Sequence, residues 1–374
     1  MTSAPLRACI GWMLRRLRLT LCLAALSLPA PALAQELRGV VLLPDSATPA
    51  ARVLVEVSAP TGAPRRLLTD PDGRFTMRLE PGDTVRVRAL RPGLKPTVAP
   101  AFVAAKGARH EVRLVLRAER VALAPVTVVE DQACGLRGER AANELWEEAR
   151  TVLEGIVLTE RDSALQMRFI EYEGRPRDLA DLRPADASVR IVSLDEAHGR
   201  GYYRDLFRFG FIQRGLDGVT TYHAPNAAVL TDERFVRSHC LRMAPEDTLA
   251  DDVVGVRFEP RHRPGVTDVM GTAWLDVESY ELRRVDFAYV NPPVGHRRAD
   301  IGGTIEFARL ATGHWITRHW ETRMAVPDGT GLPGLRVRRQ DAFQVTHDES
   351  LVFRDEALDR LARRVRAAAA GGMR

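Results

Sequence analysis

The sequence predicts a mainly β protein with two domains, a β-sandwich followed by a curled antiparallel sheet. A helix leads into that sheet and another follows it. Short runs of alternating apolar and polar residues recur along the chain, and this period of two is typical of half-buried strands. Turn-forming residues separate the runs at short intervals. The length of 374 residues suits two or three domains, because single cores usually stop growing near about 250 to 300 residues.

Residues 1–34 have the pattern of a secretory signal peptide and are left out of the fold. Four arginines form a positive n-region before an apolar run over residues 19–28, and Ala32-Leu33-Ala34 is an A-x-A cleavage site. The run is shorter than the about 20 residues that a transmembrane helix needs. We therefore expect cleavage after Ala34, a periplasmic or secreted protein, and no integral membrane segment in the mature chain. The alternative is an uncleaved anchor.

The charge of the mature chain argues against a nucleic-acid partner. The whole chain has a formal charge of +5, and the leader contributes four arginines and no acidic residue, which leaves +1 for the rest. A nucleic-acid interface needs clustered basic residues on one face. We therefore expect no nucleic acid among the partners.

Two cysteines, Cys134 and Cys240, remain after the leader is removed. A pair in an exported chain favours one disulfide, and closing a loop of about 100 residues stabilises by up to about 4.7 kcal/mol in the chain-entropy model. Two buried free thiols are the alternative. Their spacing does not suit zinc, and we expect no metal site.

Residues 35–118 carry the clearest turn in the sequence. Asp70 and Asp72 can accept hydrogen bonds from nearby backbone amides, and Gly73 tolerates a positive φ. Alternating runs lie before and after this turn, so the sequence predicts a β-hairpin here within a sandwich of short strands. We interpret both aspartates as turn formers and not as calcium ligands.

This T-D-x-D-G-x-F turn, with Gly39-Val40-Val41 before it and Pro81-Gly82 and Pro92-Gly93-Leu94 after it, resembles the carboxypeptidase regulatory-like domain. The resemblance implies a transthyretin-like, seven-stranded sandwich of the carbohydrate-binding-like fold. It also implies a folding, spacing or docking module, with sugar binding in some relatives. The peptidase half is absent from the sequence, because no H-x-x-E or H-E-x-x-H zinc spacing occurs.

A connector over residues 119–133 precedes the second domain, residues 134–348. A helix is predicted first, with Gly155 near its end and one apolar face formed by Leu145, Ala149, Val152, Leu153 and Ile156. Strands are predicted over 165–172, 188–194, 253–258, 269–277, 282–290, 304–310, 315–326 and 335–345. So many consecutive strands favour one meandering sheet, curled or partly closed. The tail, residues 349–374, contains a predicted helix that packs on the sheet or lies on an anionic membrane.

The run Gly271-Thr272-Ala273-Trp274-Leu275-Asp276, followed by Leu282 and Phe287 in the next strand, is similar to strands of the periplasmic lipoprotein-carrier family. That resemblance implies a half-barrel, covered by helices, that holds acyl chains on its concave face. The residues that would line the face are Trp274, Phe287, Ile305, Phe307, Trp315, Trp320 and Phe343. The alternative is that they form the ordinary core of the sheet.

No catalytic motif stands out. The sequence has no G-x-S-x-G, no phosphate loop and no nucleotide fingerprint. The histidines of the second half have no metal spacing, and we interpret them as structural; they are His198, His223, His239, His262, His296, His314, His319 and His347. The adjacent Asp348 and Glu349 are expected to form a solvated turn with His347.

We therefore expect an exported, non-enzymatic binding or scaffolding protein of the cell envelope, with no cofactor. Its partner would be an envelope protein, a lipid or a glycan. One alternative is a periplasmic carrier of a lipid or other apolar ligand, which needs a dry cavity in the curled sheet. A second is a carbohydrate-binding protein, which needs exposed aromatic residues in a row. A hydrolase is the third, and it needs two or more of the named His, Asp or Cys residues to converge in a cleft.

Overall fold

A computed structural model describes residues 35–60, 62–117, 128–129, 138–175, 188–198, 206–215, 218–245, 252–261, 265–326 and 333–371. The predicted signal peptide and Cys134 lie outside these ranges, so the cleavage and the disulfide with Cys240 stay predictions. None of the helices in the described ranges has the length and apolar character needed to cross a bilayer.

The first domain is a sandwich of two sheets. Its strands are β1 (Glu36–Leu42), β2 (Leu54–Ser58), β3 (Arg65–Leu68), β4 (Arg74–Arg78), β5 (Thr84–Leu90), β6 (Thr97–Val98), β7 (Phe102–Val103) and β8 (Arg109–Val115). One sheet has the order β4-β1-β8, and the other has the order β3-β2-β5-β6 with β7 also paired to β5. The core between them includes Leu37, Val55, Phe75, Val87 and Leu114. There are eight strands and not the implied seven, because the chain after β5 forms two strands of only two residues each.

The Asp70 turn joins the two sheets of the sandwich, so the predicted hairpin is wrong. The strand before the turn, β3, pairs with β2, whereas the strand after it, β4, pairs with β1. The local chemistry of the turn is as expected, since Asp70 Oδ1 accepts hydrogen bonds from the amides of Asp72 at 2.9 Å and Arg74 at 2.7 Å. Gly73 has φ +68°, and a Cβ there would lie 2.4 Å from the carbonyl oxygen of Val41. Residues within a turn fix its shape but not the sheet to which each flanking strand belongs.

After two short strands, the first of which lies in the connector, the second domain has a long helix and then one open sheet. In chain order its elements are β9 (Val128–Val129), β10 (Gly138–Glu139), α1 (Arg140–Glu160), β11 (Leu165–Gly174), β12 (Ser188–Ser193), α2 (Leu194–His198), α3 (Leu206–Phe209), β13 (Ile212–Arg214), β14 (Thr220–Tyr222), α4 (Ala227–Leu230), α5 (Glu233–Ser238), β15 (His239–Met243), β16 (Val253–Pro260), β17 (Asp268–Asp276), β18 (Leu282–Val290), β19 (Gly302–Arg309), β20 (Trp315–Val326), β21 (Gly334–His347), β22 (Ser350–Arg354) and α6 (Glu356–Gly371).

The main sheet has ten strands in the order β12-β11-β21-β20-β19-β18-β17-β16-β15, with β22 also paired to β21. Neighbouring strands in it are antiparallel. The curled, mainly β architecture is confirmed, and β18 and β20 have the predicted ends. The sequence did not predict β13, β14, β15 or β22, which are only three to five residues long.

Helix α1 fills the concave face of the main sheet. Its apolar face, including Leu145, Trp146, Leu153 and Ile156, is at most 1% exposed. These residues share one core with residues from six neighbouring strands, β15 to β20, so the sheet curves around the helix. The predicted end at Gly155 is wrong. The helix continues to Glu160, and the missing side chain at Gly155 lets a Trp315 ring pack closely, since a Cβ would lie 3.1 Å from its Cδ1.

Helix α1 also contacts the sandwich through a chain of alternating charges. Glu56 accepts two hydrogen bonds from Arg66, at 2.8 and 3.0 Å, and two from Arg88, at 2.6 and 3.0 Å. The Nη1 atom of Arg66 lies 2.6 Å from Oε1 of Glu154 in α1, and Arg150 Nε donates to the same oxygen at 3.0 Å. Burial raises the pKa of Glu56, but Arg66 and Arg88 outweigh it and hold that pKa below its ordinary value.

A second contact brings backbone of the sandwich onto the same helix. The amide of Gly93 donates to Glu148 Oε2 at 2.9 Å. Gly93 has φ +76°, and a Cβ there would lie 2.4 Å from the carbonyl oxygen of Ser279, which follows β17. The loop after β5 therefore fits closely between the helix and the β17–β18 turn, and only glycine allows this approach.

We expect Glu154→Ala to lower the free energy of unfolding by about 1 to 3 kcal/mol, because it leaves the partly buried guanidinium of Arg66 with one partner fewer. Glu147→Ala is the matched control: it removes a carboxylate from the same helix whose side chain is 66% exposed, so we expect a change within about 0.5 kcal/mol. Urea denaturation of the mature chain measures both values. Equal effects of the two substitutions would contradict a junction held by the charge chain.

Candidate functional site

The predicted lining residues of the half-barrel mostly lie under α1. Phe287, Ile305, Phe307 and Trp315 belong to the core around the helix and are at most 6% exposed. Trp320 packs at the edge of the same core. In the described residues, the helix therefore occupies the place that an acyl chain would have in the predicted carrier.

Two further residues of that set lie on the opposite face of the sheet. The Nε1 atom of Trp274 donates to Asp286 Oδ2 at 2.8 Å. Asp286 stands between Val285 and Phe287, which face α1, so its own side chain points away from the helix. Phe343 packs with Ala362 of α6 on a separate small core. Plain alternation along β17 places Trp274 on this face, since its neighbours Ala273 and Leu275 both belong to the core around α1.

A groove of about 960 Å³ opens beside the C-terminal end of α1. Its walls come from that end of the helix, from β11 and β21, and from the start of α2. Three of its lining residues are apolar, namely Leu165, Met167 and Leu194. The other eleven carry hydroxyl, amide or charged groups; they are Glu160, Arg161, Asp162, Ser163, Gln166, Arg168, Ser193, Asp195, Gln344, Thr346 and Glu349. We call this surface the polar groove.

Strand pairing places the polar side chains of the groove side by side. Gln166 of β11 lies opposite Thr346 of β21, and Arg168 lies opposite Gln344. The wall at α2 is held by a capping box, in which Glu196 accepts hydrogen bonds from the amide of Ser193 at 2.7 Å and from its hydroxyl at 2.9 Å. The groove is thus built on regular structure, and it presents hydrogen-bond donors and acceptors on several sides.

Asp162 belongs to the groove and also to a second group of residues, which we call the junction cluster: Arg52, Asp162, His314 and His347. The Oδ2 atom of Asp162 lies 3.2 Å from Nε2 of His347. Single ligand-type atoms of Asp162, His314 and His347 lie within 4.8 Å of one another. Arg52 comes from the sandwich, with its Nη2 at 3.4 Å from His347 Nε2 and its Nη1 at 3.9 Å from Asp162 Oδ2.

His314 is the most buried member of the junction cluster, at 2% exposure. Its Nδ1 lies 2.8 Å from the hydroxyl of Thr312, whereas its Nε2 has no hydrogen-bond partner among the described residues. Burial, and then the charges of Arg52 and His347, lower the pKa of His314 to about 4. The ring is therefore neutral at pH 7.

Turns at one end of the main sheet bring the junction cluster together. Asp162 lies just after α1, where its Oδ1 accepts a hydrogen bond from the amide of Ala164 at 3.0 Å. His314 closes the β19–β20 turn, and His347 ends β21. Sequence reasoning missed the cluster because Asp162 and His347 are 185 positions apart. It placed His347 in a solvated turn, but the His347 side chain is only 19% exposed and lies against Asp162.

Tyr222 and His239, which lie outside the groove and the junction cluster, are in hydrogen-bonded packing. The hydroxyl of Tyr222 donates to the carbonyl of Ala325 at 3.0 Å. His239 is buried, with Nε2 at 3.0 Å from the carbonyl oxygen of Val269 and Nδ1 at 2.9 Å from that of Phe235. These contacts are those of core side chains.

We expect the stability of the mature chain to depend on His314 below neutral pH. Its pKa is about 4 when folded and about 6.5 when unfolded, so the unfolded state takes up the proton first as the pH falls. The free energy of unfolding should therefore decrease between about pH 6.5 and pH 4, and this part of the decrease should vanish in His314→Gln. Urea denaturation at several pH values, with a chelator present, measures it. His110→Gln in the sandwich is the control, and identical pH profiles for wild type and His314→Gln would contradict the assignment.

Comparison with known proteins identifies the first domain. Residues 36–117 match the family model of the carboxypeptidase regulatory-like domain. A search of curated proteins gave no significant match.

Among solved structures, the chain is similar to a DUF1329 family protein from Desulfovibrio piger, with 8% identity and a TM-score of 0.27. It is also similar to a LolA superfamily protein from Nitrosomonas europaea, with 8% identity and a TM-score of 0.25. Each match covers 55% of this chain and 93% of the other. The sandwich is thus a carboxypeptidase regulatory-like domain.

Proposed function

We propose that this chain is an exported, non-enzymatic binding protein of the cell envelope, and that the polar groove is its binding surface. The observation that carries the proposal is the composition of the groove, in which eleven of fourteen lining residues have polar side chains. A volume of about 960 Å³ lies within the range of known ligand sites. Because about half of the exposed lining is apolar, the pattern predicts a ligand that combines hydrogen-bonding groups with apolar patches, such as a glycan or a peptide.

The position of α1 supports a polar ligand over an apolar one. An acyl chain needs a continuous apolar cavity, and the concave face that would supply it is filled by Leu145, Trp146, Leu153 and Ile156. A carrier of apolar ligands would therefore require α1 to leave the sheet. The groove needs no such movement.

The regulatory-like domain has the role of a scaffold in this proposal. The charge chain from Arg88 to Arg150 and the contact between Gly93 and Glu148 join it to α1. Helix α1 in turn supplies one wall of the groove. The sandwich thus supports the helix from the side opposite the main sheet, and its outer surface is available to dock on an envelope partner.

A hydrolase is the second candidate, and one observation favours it. His314 and His347 converge with Asp162, and of these three residues Asp162 also lines the groove. The hydroxyl of Ser193 in the groove is instead used in a helix cap, where it donates to Glu196. Turnover of a general ester such as p-nitrophenyl acetate, lost in His347→Gln, would favour the hydrolase over the binding protein.

We expect the groove variant Arg168→Ala/Gln344→Ala to lose at least about tenfold in affinity for the polar ligand, because two opposed side chains of the groove wall lose their hydrogen bonds. The measurement is native mass spectrometry and calorimetry of the mature chain against sets of oligosaccharides and short peptides. The control is Arg257→Ala/Thr272→Ala, a cross-strand pair outside the groove lining. A bound fatty acid in the purified protein, or equal affinity in both variants, would contradict the proposal.

A further inference from the structure

We propose that Asp162, His314 and His347 bind a divalent transition metal of the zinc class where the two domains meet. The site stands apart from the proposed function, since it needs no ligand in the polar groove. Two imidazole nitrogens and one carboxylate oxygen form a ligand set that zinc uses in proteins, with a fourth position left for water or another ligand.

The distances suit such a site after a small contraction. Zinc bonds of about 2.0 to 2.1 Å in a tetrahedron place neighbouring ligand atoms about 3.3 Å apart. The Oδ2 atom of Asp162 and Nε2 of His347 are already 3.2 Å apart. The largest separation within the three-residue set is below 4.8 Å, so His314 has to approach by roughly 1.5 Å at most.

The Nδ1 atoms of both rings already have oxygen neighbours, so the Nε2 atoms would bind the metal, and Nε2 of His347 would exchange its contacts with Asp162 and Arg52 for the ion. Nδ1 of His314 lies 2.8 Å from the Thr312 hydroxyl, and Nδ1 of His347 lies 3.3 Å from Asp348 Oδ2. In metal sites, the nitrogen that does not bind the ion usually donates to such an oxygen, which fixes the orientation of the ring.

The bare Nε2 of His314 is the second, independent observation. The residue is 98% buried, and Nε2 has no hydrogen-bond partner among the described residues. A buried polar nitrogen without a partner is costly in a folded protein. A metal ion between His314, His347 and Asp162 would satisfy it.

Arg52 is the competitor of the metal. Its guanidinium lies 3.4 Å from His347 Nε2 and 3.9 Å from Asp162 Oδ2, so it supplies positive charge where the ion would bind. Its Nε is buried and has no hydrogen-bond partner among the described residues, and the side chain therefore holds its place through the two terminal nitrogens. Metal binding would displace it and break this contact between the sandwich and the second domain.

The test uses the mature chain, freed of metal with EDTA and titrated with zinc by calorimetry and with cobalt by visible absorption. We expect one equivalent to bind, with the intense absorption of four-coordinate cobalt. His347→Gln and Asp162→Asn should each weaken binding by at least about tenfold, which is the scale of losing one metal ligand or its support. Arg52→Gln should strengthen it by at least about tenfold, because the competing charge is gone.

His110→Gln, in the sandwich, is the matched control and should bind as the wild type does. Circular dichroism shows whether each variant is folded. If His347→Gln or Asp162→Asn does not fold, the comparison of Arg52→Gln with the wild type still tests the proposal. Absence of binding in both the wild type and Arg52→Gln would overturn the proposal. So would binding that is unchanged in His347→Gln and Asp162→Asn, because the metal would then be held by surface histidines.

Discussion

The packing of helix α1 between the main sheet and the sandwich is the contact on which the rest of the structure depends. On one side its apolar face fills the concavity of six strands. Burying a large apolar side chain is worth about 1.5 to 3 kcal/mol, so this face supplies much of the driving force for the second domain. On the other side, Glu148 and Glu154 contact the sandwich. One helix thus holds two β domains together.

This arrangement decides where a ligand can bind. Because α1 covers the concave face, the surface left open to a ligand lies at the C-terminal end of the helix. There, Glu160 and Asp162 meet β11 and β21. The same end brings the junction cluster together, because Asp162 follows the helix directly and Arg52 reaches it from the sandwich. The groove and the cluster are therefore both consequences of how the helix lies. They share Asp162, so a metal there would add a charge to one end of the groove.

The sequence predicts those parts of the fold that periodicity controls. The 3.6-residue pattern of α1 and the alternation of β18 and β20 are strong signals. The structure has a helix and two strands at these positions. Features that depend on distant parts of the chain were not predictable. The Asp70 turn joins two sheets because β3 and β4 find different partners. The register shift between β17 and β18 depends on how the two strands pair, since it adds a residue to β18 after Leu282. The junction cluster joins residues that share no local pattern.

Hydrogen exchange of the α1 amides under native conditions tests the central claim that the helix is a permanent part of the core. The account predicts that amides in the middle of α1 exchange only through global unfolding, with the same free energy and denaturant dependence as the slowest amides of β17 to β19. Exchange of α1 through a smaller opening, while the sheet stays protected, would contradict it. The concave face would then open in the native protein and become available to an apolar ligand.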